Sequence, residues 1–563
     1  MLQTVHRFGI LNDIKGSSAA AGLSRTIKAV SMELIKDLTI GKLLRDSAAR
    51  FADRPALKTR AEELSYRQLD EAVDTASRRL LYCGVKKGDH VGILCETQPE
   101  EIVVYYALAR IGAVNVMFNT SLRAGELREL LDRSRVSTLL IGEGYRGVSF
   151  PALVGNILAD CPHLRSVYFI GPGEPGRFAR LDSLDTVSEE ALKDAESKVS
   201  PQDTAQILFT SGSTSFPKMV CGSHYSRANC GRMQAKDLGA TCEDVFLGAL
   251  PVFHCFSISV NIMAACSAGA CLVLPASRKT AVLLSDIRDF KCTVVSSVPT
   301  LFFAMLHRPD FKDWDISSVR TGFIGGSSYS PQQFKDIEEG FGMTLLSSLG
   351  QTEATGGLTT SDLTDPVDLR ATTVGHMMDF LEGRTVDPDT GKTCAVGEPG
   401  EICVRGYVVM QGYYDNPEET AKVLDPDGWL HTGDWGWFGE DGYLRLSGRI
   451  KDLIIRGGEN ISPVEIENAV MEIGGIEACK AIGIPSEHYG EEICLCVVLK
   501  KGSGVNEAVI RTALSGKLAA YKQPKYVLFF RNLPFKATGK IDLAQLKKDS
   551  YERLGISTES LGA

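Results

Sequence analysis

The segment Thr210–Lys218 reads TSGSTSFPK and follows the apolar run Ala205–Phe209. Thr210, Ser211, Ser213 and Thr214 offer hydroxyls, Gly212 lets backbone amides approach a ligand closely, and Lys218 adds a positive charge. Such a donor set at a strand end suits phosphate groups. The spacing is not that of a Walker A loop, because Met219 rather than Ser or Thr follows Lys218. An ordinary Ser/Gly surface loop has the same composition, so the segment by itself leaves both readings open.

Two other patterns carry less. Gly171–Gly176 (GPGEPG) fits the G-x-G-x-x-G spacing of a dinucleotide loop, but Pro172 and Pro175 have no amide to donate and no amphipathic helix opens after it. A surface turn is expected there. The 15 cysteines are scattered, and Cys494 and Cys496 form the one closely spaced pair, without a second pair at metal-ligand spacing. They read as reduced, mostly buried thiols of a reducing compartment, against a zinc site.

Loops of this kind must be held by a larger framework. His90–Cys95, Val136–Ile141, Ser166–Ile170, Cys271–Leu274 and Thr293–Ser296 are short apolar runs ended by turn residues, and read as buried strands. Helical patterns such as Glu101–Ile111 and Gly125–Ser134 lie between them, an alternation that predicts mostly parallel sheets flanked by helices. After about Gly448 the units become shorter: a strand-like Asp452–Ile455, a turn at Gly457–Gly458, and a helix signposted by Ser462, Pro463 and Glu465 as a capping box. The expected organisation is an α/β domain over 32–449 and a small α+β domain over 450–563, preceded by an extension, 1–31, without ordered structure.

A chain of 563 residues exceeds one typical domain. With 23% charged and 44% hydrophobic residues it has the profile of a soluble globular protein. Its net charge of -9 and lack of a dense Lys/Arg run argue against nucleic acid as a partner. From Val245 to Ser277 no formally charged side chain occurs, yet Pro251, Asn261, Gly269 and Pro275 interrupt the run. A buried helix followed by a buried strand is therefore expected rather than a membrane span. No secretory signal is evident, and a cytoplasmic location is expected, with the mitochondrial matrix as the alternative.

Several further motifs stand in order along the chain: Gly350–Glu353 (GQTE), Thr432–Asp434 (TGD), Gly448–Asp452 (GRIKD), Gly457–Glu467 (GGENISPVEIE) and Thr538–Asp542 (TGKID). Together with Thr210–Lys218 they resemble the signatures of the adenylate-forming superfamily, which includes acyl-CoA synthetases, peptide-synthetase adenylation domains and luciferases. The resemblance implies a two-step ligase that uses ATP with Mg²⁺ to convert a carboxylic acid to acyl-AMP and passes the acyl group to coenzyme A.

It also implies roles at matching positions. Thr210, Ser211, Gly212, Ser213, Thr214 and Lys218 would bind ATP phosphates, with Thr214 among the catalytic groups. Gly326, Ser327, Ser328, Gly350, Gln351 and Thr352 would surround the nucleotide, and Glu353 would hold Mg²⁺, a hard cation that takes carboxylate oxygen. Asp434 would bind the ribose, with Arg449 assisting, and Lys540 would neutralise charge at the α-phosphate as the carboxylate attacks. Lys451 would be the hinge about which the small domain turns between the half-reactions, and Gly457 and Gly458 would line the coenzyme A channel. Four departures from the family pattern bear on the nucleotide: Ser215 replaces a glycine, Met219 stands where glycine is often found, Leu349 replaces an aromatic residue, and Gly325–Ser328 (GGSS) a Gly-Gly-Ala-Pro-like segment.

Val252–Ser257 (VFHCFS) matches the segment that gates the acyl pocket, with His254 at the gate and Cys255, Phe256 and Val260 behind it. No aspartate stands nearby to bind a substrate amine, and the surroundings are apolar or small, so an uncharged hydrophobic acid is expected. The run Asp387–Asp434 looks most like medium-chain fatty acyl-CoA ligases. Aryl or steroid acids, transfer to a carrier protein, a luciferase-like oxygenase and a silent acyl or nucleotide binder are the alternatives; a homodimer is compatible with the sequence.

Overall fold

A computed structural model describes residues 33–210, 217–457, 459–486, 489–535 and 541–556. Ser211–Phe216, Gly458 and Lys540 therefore lie outside the described residues, as does the extension 1–31.

Among the described residues two large sheets dominate. The first has eight strands, and its centre is parallel: Thr204–Thr210, Val114–Met117, His90–Leu94, Thr138–Ile141 and Ser166–Phe169 lie side by side. Its other edge turns antiparallel through Lys218–Ser223 and Gly412–Tyr413. The second has seven strands, parallel from Thr344–Ser347 through Thr321–Ile324, Val294–Val295, Val245–Leu247 and Cys271–Val273. The expected α/β class with mostly parallel sheets holds. Buried parallel strands read as continuous apolar runs because both faces are covered.

Helices fill the space between the sheets. Pro99–Arg110 opens with proline at its first turn, followed by Glu100 and Glu101, and ends on Arg110, the charge order a helix dipole favours. Ile102, Val104, Tyr105, Tyr106, Ala107, Leu108 and Ala109 are all buried, so this helix is covered on every side. The charge-free stretch resolves into the strand Val245–Leu247, a helical run over 255–268 and the strand Cys271–Val273. Its middle, Ile258–Met263, is a π-helix, an irregularity that recurs at functional sites. Among the described residues no helix is long and apolar enough to cross a membrane. Gly171–Gly176 forms a bend with positive φ at all three glycines and leads to a short strand, not a helix.

A four-stranded antiparallel sheet, Leu381–Val386, Gly400–Gly406, Leu430–Phe438 and Leu444–Arg449, follows. A smaller sheet of Ile454–Arg456, Glu459–Ile461, Ile476–Ser486, Gly490–Leu499 and Tyr526–Phe530 comes last, with Pro463–Met471 packed on it. Two local expectations need correction. Asp452 closes a 3₁₀ turn over Ile450–Asp452, and the strand begins only at Ile454. Ser462 caps the helix as expected, accepting from the Glu465 amide at 3.4 Å, but the Glu465 carboxylate is engaged by Lys522 at 2.6 Å and completes no capping box. A nearby cation outcompetes a neutral amide for the carboxylate.

Four helices are joined by one ion network. The Arg110 side chain is 0% exposed and reaches Asp74 at 2.6 Å and Asp70. Arg45 reaches the same two carboxylates at 2.8 and 2.7 Å, and Glu196 at 3.0 Å. Removing a buried partner strands the remaining charges, so Arg110→Met is expected to lower unfolding free energy by about 3 kcal/mol. Denaturant titration checks this; an unshifted midpoint would show that Arg45 alone satisfies the carboxylates.

Candidate active site

The Thr204–Thr210 and Lys218–Ser223 strands pair antiparallel, with Thr210 directly opposite Lys218, so the phosphate-type loop is anchored at both ends by sheet hydrogen bonds. Lys218 does not point freely into solvent. Its Nζ lies 2.6 Å from Glu419 and 4.7 Å from the centre of the Tyr413 ring. Lys218, joined by Lys422, holds the Glu419 carboxyl down to about 2.

Tyr413 also donates its hydroxyl to Glu353 Oε1 at 3.0 Å, and the Met410 amide donates to the Glu353 carbonyl at 2.8 Å. Residues 410–414 thus strap the GQTE turn to the first sheet, through the pairing of Tyr413 with Val220 and Gly412 with Cys221. The turn itself tolerates no side chain at Gly350, where a Cβ would fall 2.4 Å from the Gly356 carbonyl oxygen. Gln351 is buried with an unbonded Nε2, and Thr352 Oγ1 meets Cys255 Sγ at 3.6 Å.

Thr355 closes this turn with φ +59, a left-handed conformation rare for a β-branched residue. Its carbonyl accepts from Ser259 Oγ at 2.6 Å and Arg227 Nη1 at 3.3 Å, and its hydroxyl donates to the Val408 carbonyl at 2.6 Å. Gly325–Ser328 sits beside the turn, at the end of the adjacent parallel strand Thr321–Ile324. Gly325 is buried, whereas Gly326, Ser327 and Ser328 are exposed. Leu349 is half-buried and donates its amide to Thr359 Oγ1 at 3.1 Å.

Asp434 and Arg449 face each other across the hairpin Leu430–Phe438/Leu444–Arg449. Arg449 Nε lies 2.7 Å from Asp434 Oδ1, and Arg449 also donates to the Thr432 carbonyl at 3.3 Å. Asp434 is 3% exposed, and its second oxygen, Oδ2, is buried without a hydrogen-bond partner. A buried carboxylate oxygen without a donor is an acceptor for a ligand hydroxyl. Burial pushes the Asp434 carboxyl up to about 6; Arg449 pulls it down, and Glu353, Glu401 and Asp452 push it further up. The TGD turn is fixed in turn by Glu401, which takes the Gly433 amide at 3.0 Å and His431 Nδ1 at 2.8 Å.

Glu401, Cys403 and His431 place their ligand atoms within 4.8 Å of one another. Burial pushes the Cys403 thiol up to about 12, and Glu401 serves Gly433 and His431, so these groups brace the turn. The cysteines are free thiols, with Cys494 and Cys496 buried on Gly490–Leu499. For a hard divalent cation the suitable group is Glu353, whose carboxylate lies at the same turn as Thr352.

Of the residues expected at the acyl pocket, His254 is exposed and packs on Phe253 at 4.6 Å, Cys255 and Phe256 are half-buried and Val260 is buried. The wall facing them is less apolar than the sequence suggests, since Arg227, Gln234, Ser259 and Asn261 are all buried around it. Lys451 is exposed in its 3₁₀ turn. Gly457 is exposed at φ +61 and donates its amide to the Tyr489 carbonyl at 2.8 Å. Thus Lys218, Glu353, Asp434 and Arg449 are each seated in partnered positions, while Ser211, Gly212, Ser213, Thr214, Gly458 and Lys540 lie outside the described residues. Tyr413, Glu419 and Glu401 were not singled out from sequence. All three lie within the run Asp387–Asp434, cited there for its resemblance alone.

The chain matches the signature of the family described as AMP-binding enzyme over residues 44–414, and that of the AMP-binding enzyme C-terminal domain over 465–540. It belongs to this family, in the branch of AMP-forming acyl-CoA ligases. It is 34% identical to YngI of Bacillus subtilis, over 92% of this chain and 98% of that protein. It is 30% identical to the mitochondrial medium-chain acyl-CoA ligase of Bos taurus, over 93% of this chain and 89% of the relative. Among solved structures, the anthranilate CoA ligase AuaEII in complex with anthranoyl-AMP superposes with a TM-score of 0.81 at 25% identity, covering 93% of this chain and 99% of that one.

The Asp434 environment carries a pH signature. Its folded pKa lies above the ordinary carboxyl value, so its contribution to stability is full below the ordinary carboxylate range and is lost as pH rises through about 6. Nucleotide binding requires the opposite state, the ionised acceptor. The KM for ATP is therefore expected to rise as pH falls through about 6, in initial-rate measurements at varied ATP. A KM that stays flat across that window would mean that Asp434 does not accept a nucleotide hydroxyl in its ionised form.

Proposed function

We propose that this protein activates a carboxylic acid with a mainly aliphatic body, best matched by medium-chain acids, as acyl-AMP, and then transfers the acyl group to coenzyme A. The single observation that carries the reading is Asp434, a buried carboxylate with one oxygen on Arg449 and the other free, set beside the Glu353 turn. A ribose diol fits that oxygen, the phosphates fit the loop ending at Lys218, and the acid enters past His254.

In the first half-reaction a substrate carboxylate oxygen attacks the α-phosphorus of ATP, forming the acyl-phosphate bond as the bond to pyrophosphate breaks. In the second the coenzyme A thiolate attacks the acyl carbon and AMP leaves. Both steps depend on positioning and on charge stabilisation. Mg²⁺, when bound with ATP, would neutralise triphosphate charge, and Glu353 is the residue that would hold it. Glu353 arrives oriented, because Tyr413 holds one of its oxygens. Lys218 arrives paired with Glu419, which holds its Nζ near the end of the loop.

Lys540 is proposed to stabilise the developing charge at the α-phosphate, in a small domain that begins near residue 450 and turns about Lys451. The turn would replace Lys540 by the Gly457–Gly458 face, where backbone without side chains admits the pantetheine arm. The resemblance to medium-chain acyl-CoA ligases supports an aliphatic acid, and the name of the bovine relative is consistent with it.

The test is pyrophosphate release with ATP, Mg²⁺ and a panel of aliphatic, aryl and steroid acids, with and without coenzyme A, the products identified by mass spectrometry. Thioester is expected with aliphatic acids, and Lys540→Ala is expected to slow adenylation on the order of 10²–10³-fold. Pyrophosphate without thioester would redirect the acceptor to a carrier protein or oxygen. Silence across the panel would leave a nucleotide binder.

A further inference from the structure

Arg227 stands in the first turn of the helix His224–Asp237 and is 0% exposed. Among the described residues no carboxylate lies within ion-pair distance of it. Nη1 donates to the Thr355 carbonyl at 3.3 Å, while Nε and Nη2 are buried without a hydrogen-bond partner. An uncompensated guanidinium in the interior is costly, and an apolar side chain of similar volume would avoid that cost. Nothing in the mechanism above uses it.

Its surroundings are polar in a directed way. The guanidinium lies flat against Gly222, where a Cβ would fall 2.8 Å from Nε and 2.9 Å from Nη2. Gly222 faces Gln206 on the next strand, and Gln206 faces Asn115 on the one after. Both side-chain polar atoms of Gln206, Asn115 Oδ1 and the nearby Tyr105 hydroxyl are likewise buried and unbonded. The Arg227 cation acts electrostatically on Tyr105, Cys230 and Cys255, the last of which follows His254 in the segment expected to gate the acyl pocket.

The same helix presents Cys230 and Gln234 on the turns that follow, a spacing that shares one face. Both meet the glycines after the GQTE turn: a Cβ on Gly357 would fall 2.8 Å from Gln234 Nε2 and 3.3 Å from Cys230 Sγ. Ser259, one turn past the gate, donates to the same Thr355 carbonyl as Arg227. Arg227 therefore sits directly behind the seam between Cys255–Ser259 and Thr355–Gly357. That seam is tight, since a Cβ on Gly356 would lie 3.1 Å from the Cys255 carbonyl oxygen. The π-helix Ile258–Met263 lies along one side of it.

We propose that the far end of the acid carries an oxygen group that Arg227 binds behind this seam, with Tyr105 and Gln206 alongside. The second carboxylate of an α,ω-dicarboxylic acid fits best, because it alone also cancels the buried charge; an ω-hydroxyl satisfies the free donors and ranks next. The inference rests on the ligase reading and names its acid: an aliphatic body with a polar terminus rather than a plain alkyl tail. Arg227 is then a specificity-determining residue.

The experiment uses the full chain with ATP, Mg²⁺ and coenzyme A, and compares alkanoates, ω-hydroxyalkanoates and α,ω-dicarboxylates of matched length. At the best length, kcat/KM for the dicarboxylate is expected to exceed that of the alkanoate by on the order of 10²-fold or more, because an apolar end would leave the buried donors unpaired. Arg227→Leu is expected to collapse that ratio to near unity or invert it, and Arg227→Lys to retain part of it. If the parent prefers the alkanoate at every length, or if Arg227→Leu leaves the ratio unmoved, the inference is overturned while the ligase reading stands. If no acid of any series releases pyrophosphate, both fall together. Should Arg227→Leu fail to fold, the parent's ranking across the three series decides the matter.

Discussion

A carboxylate withdrawn almost entirely from water, Asp434, depends on a guanidinium delivered to it by the neighbouring strand. The arrangement is imposed by backbone register: Asp434 and Arg449 are directly opposed, and a one-residue slip would send one of the two side chains to the other face of the sheet. Several further contacts serve to keep that register. Thr432 Oγ1 donates to the Ile402 carbonyl at 2.7 Å and accepts the Asp434 amide at 3.1 Å, and Glu401 holds the Gly433 amide from the strand beside it. The hairpin is thus stiff where it presents the free carboxylate oxygen, and Asp434 spends no energy on reorienting when a hydroxyl arrives.

The same economy of backbone recurs at the other charged groups. Lys218 is placed by its pairing with Thr210, Glu353 by the Met410 amide, and both side chains are linked through Tyr413, which stacks under one and donates to the other. Because Glu419 balances Lys218, the site is not a bare positive hole in the absence of nucleotide.

Much of this was legible in the sequence. The strands His90–Leu94, Thr138–Ile141 and Ser166–Phe169 announce themselves as apolar runs because both of their faces are covered, and Pro463 marks a helix start by removing an amide that would go unpaired. Thr210–Lys218 could be read as a loop at a strand end from its glycine, hydroxyls and proline. The partners of the charged groups were not legible. Glu419 and Tyr413 lie far along the chain from Lys218, and Glu465 was assigned to a helix cap because Lys522 could not be known to reach it.

Arg227 is the sharpest case. In the sequence it stands in HYSRANCGRMQ, where polar residues occur on all sides and no apolar stripe marks a buried face. Read locally, it is a solvated arginine. What buries it is the meeting of four separate segments, the strands bearing Asn115, Gln206 and Gly222 and the turn bearing Thr355, none of which is near it in both sequence and pattern. A helix buried along most of its length, as this one is, leaves its buried polar residues to be satisfied from within or by what the protein binds. That requirement, rather than the hydrophobicity of the gate segment, is what bears on the choice of acid.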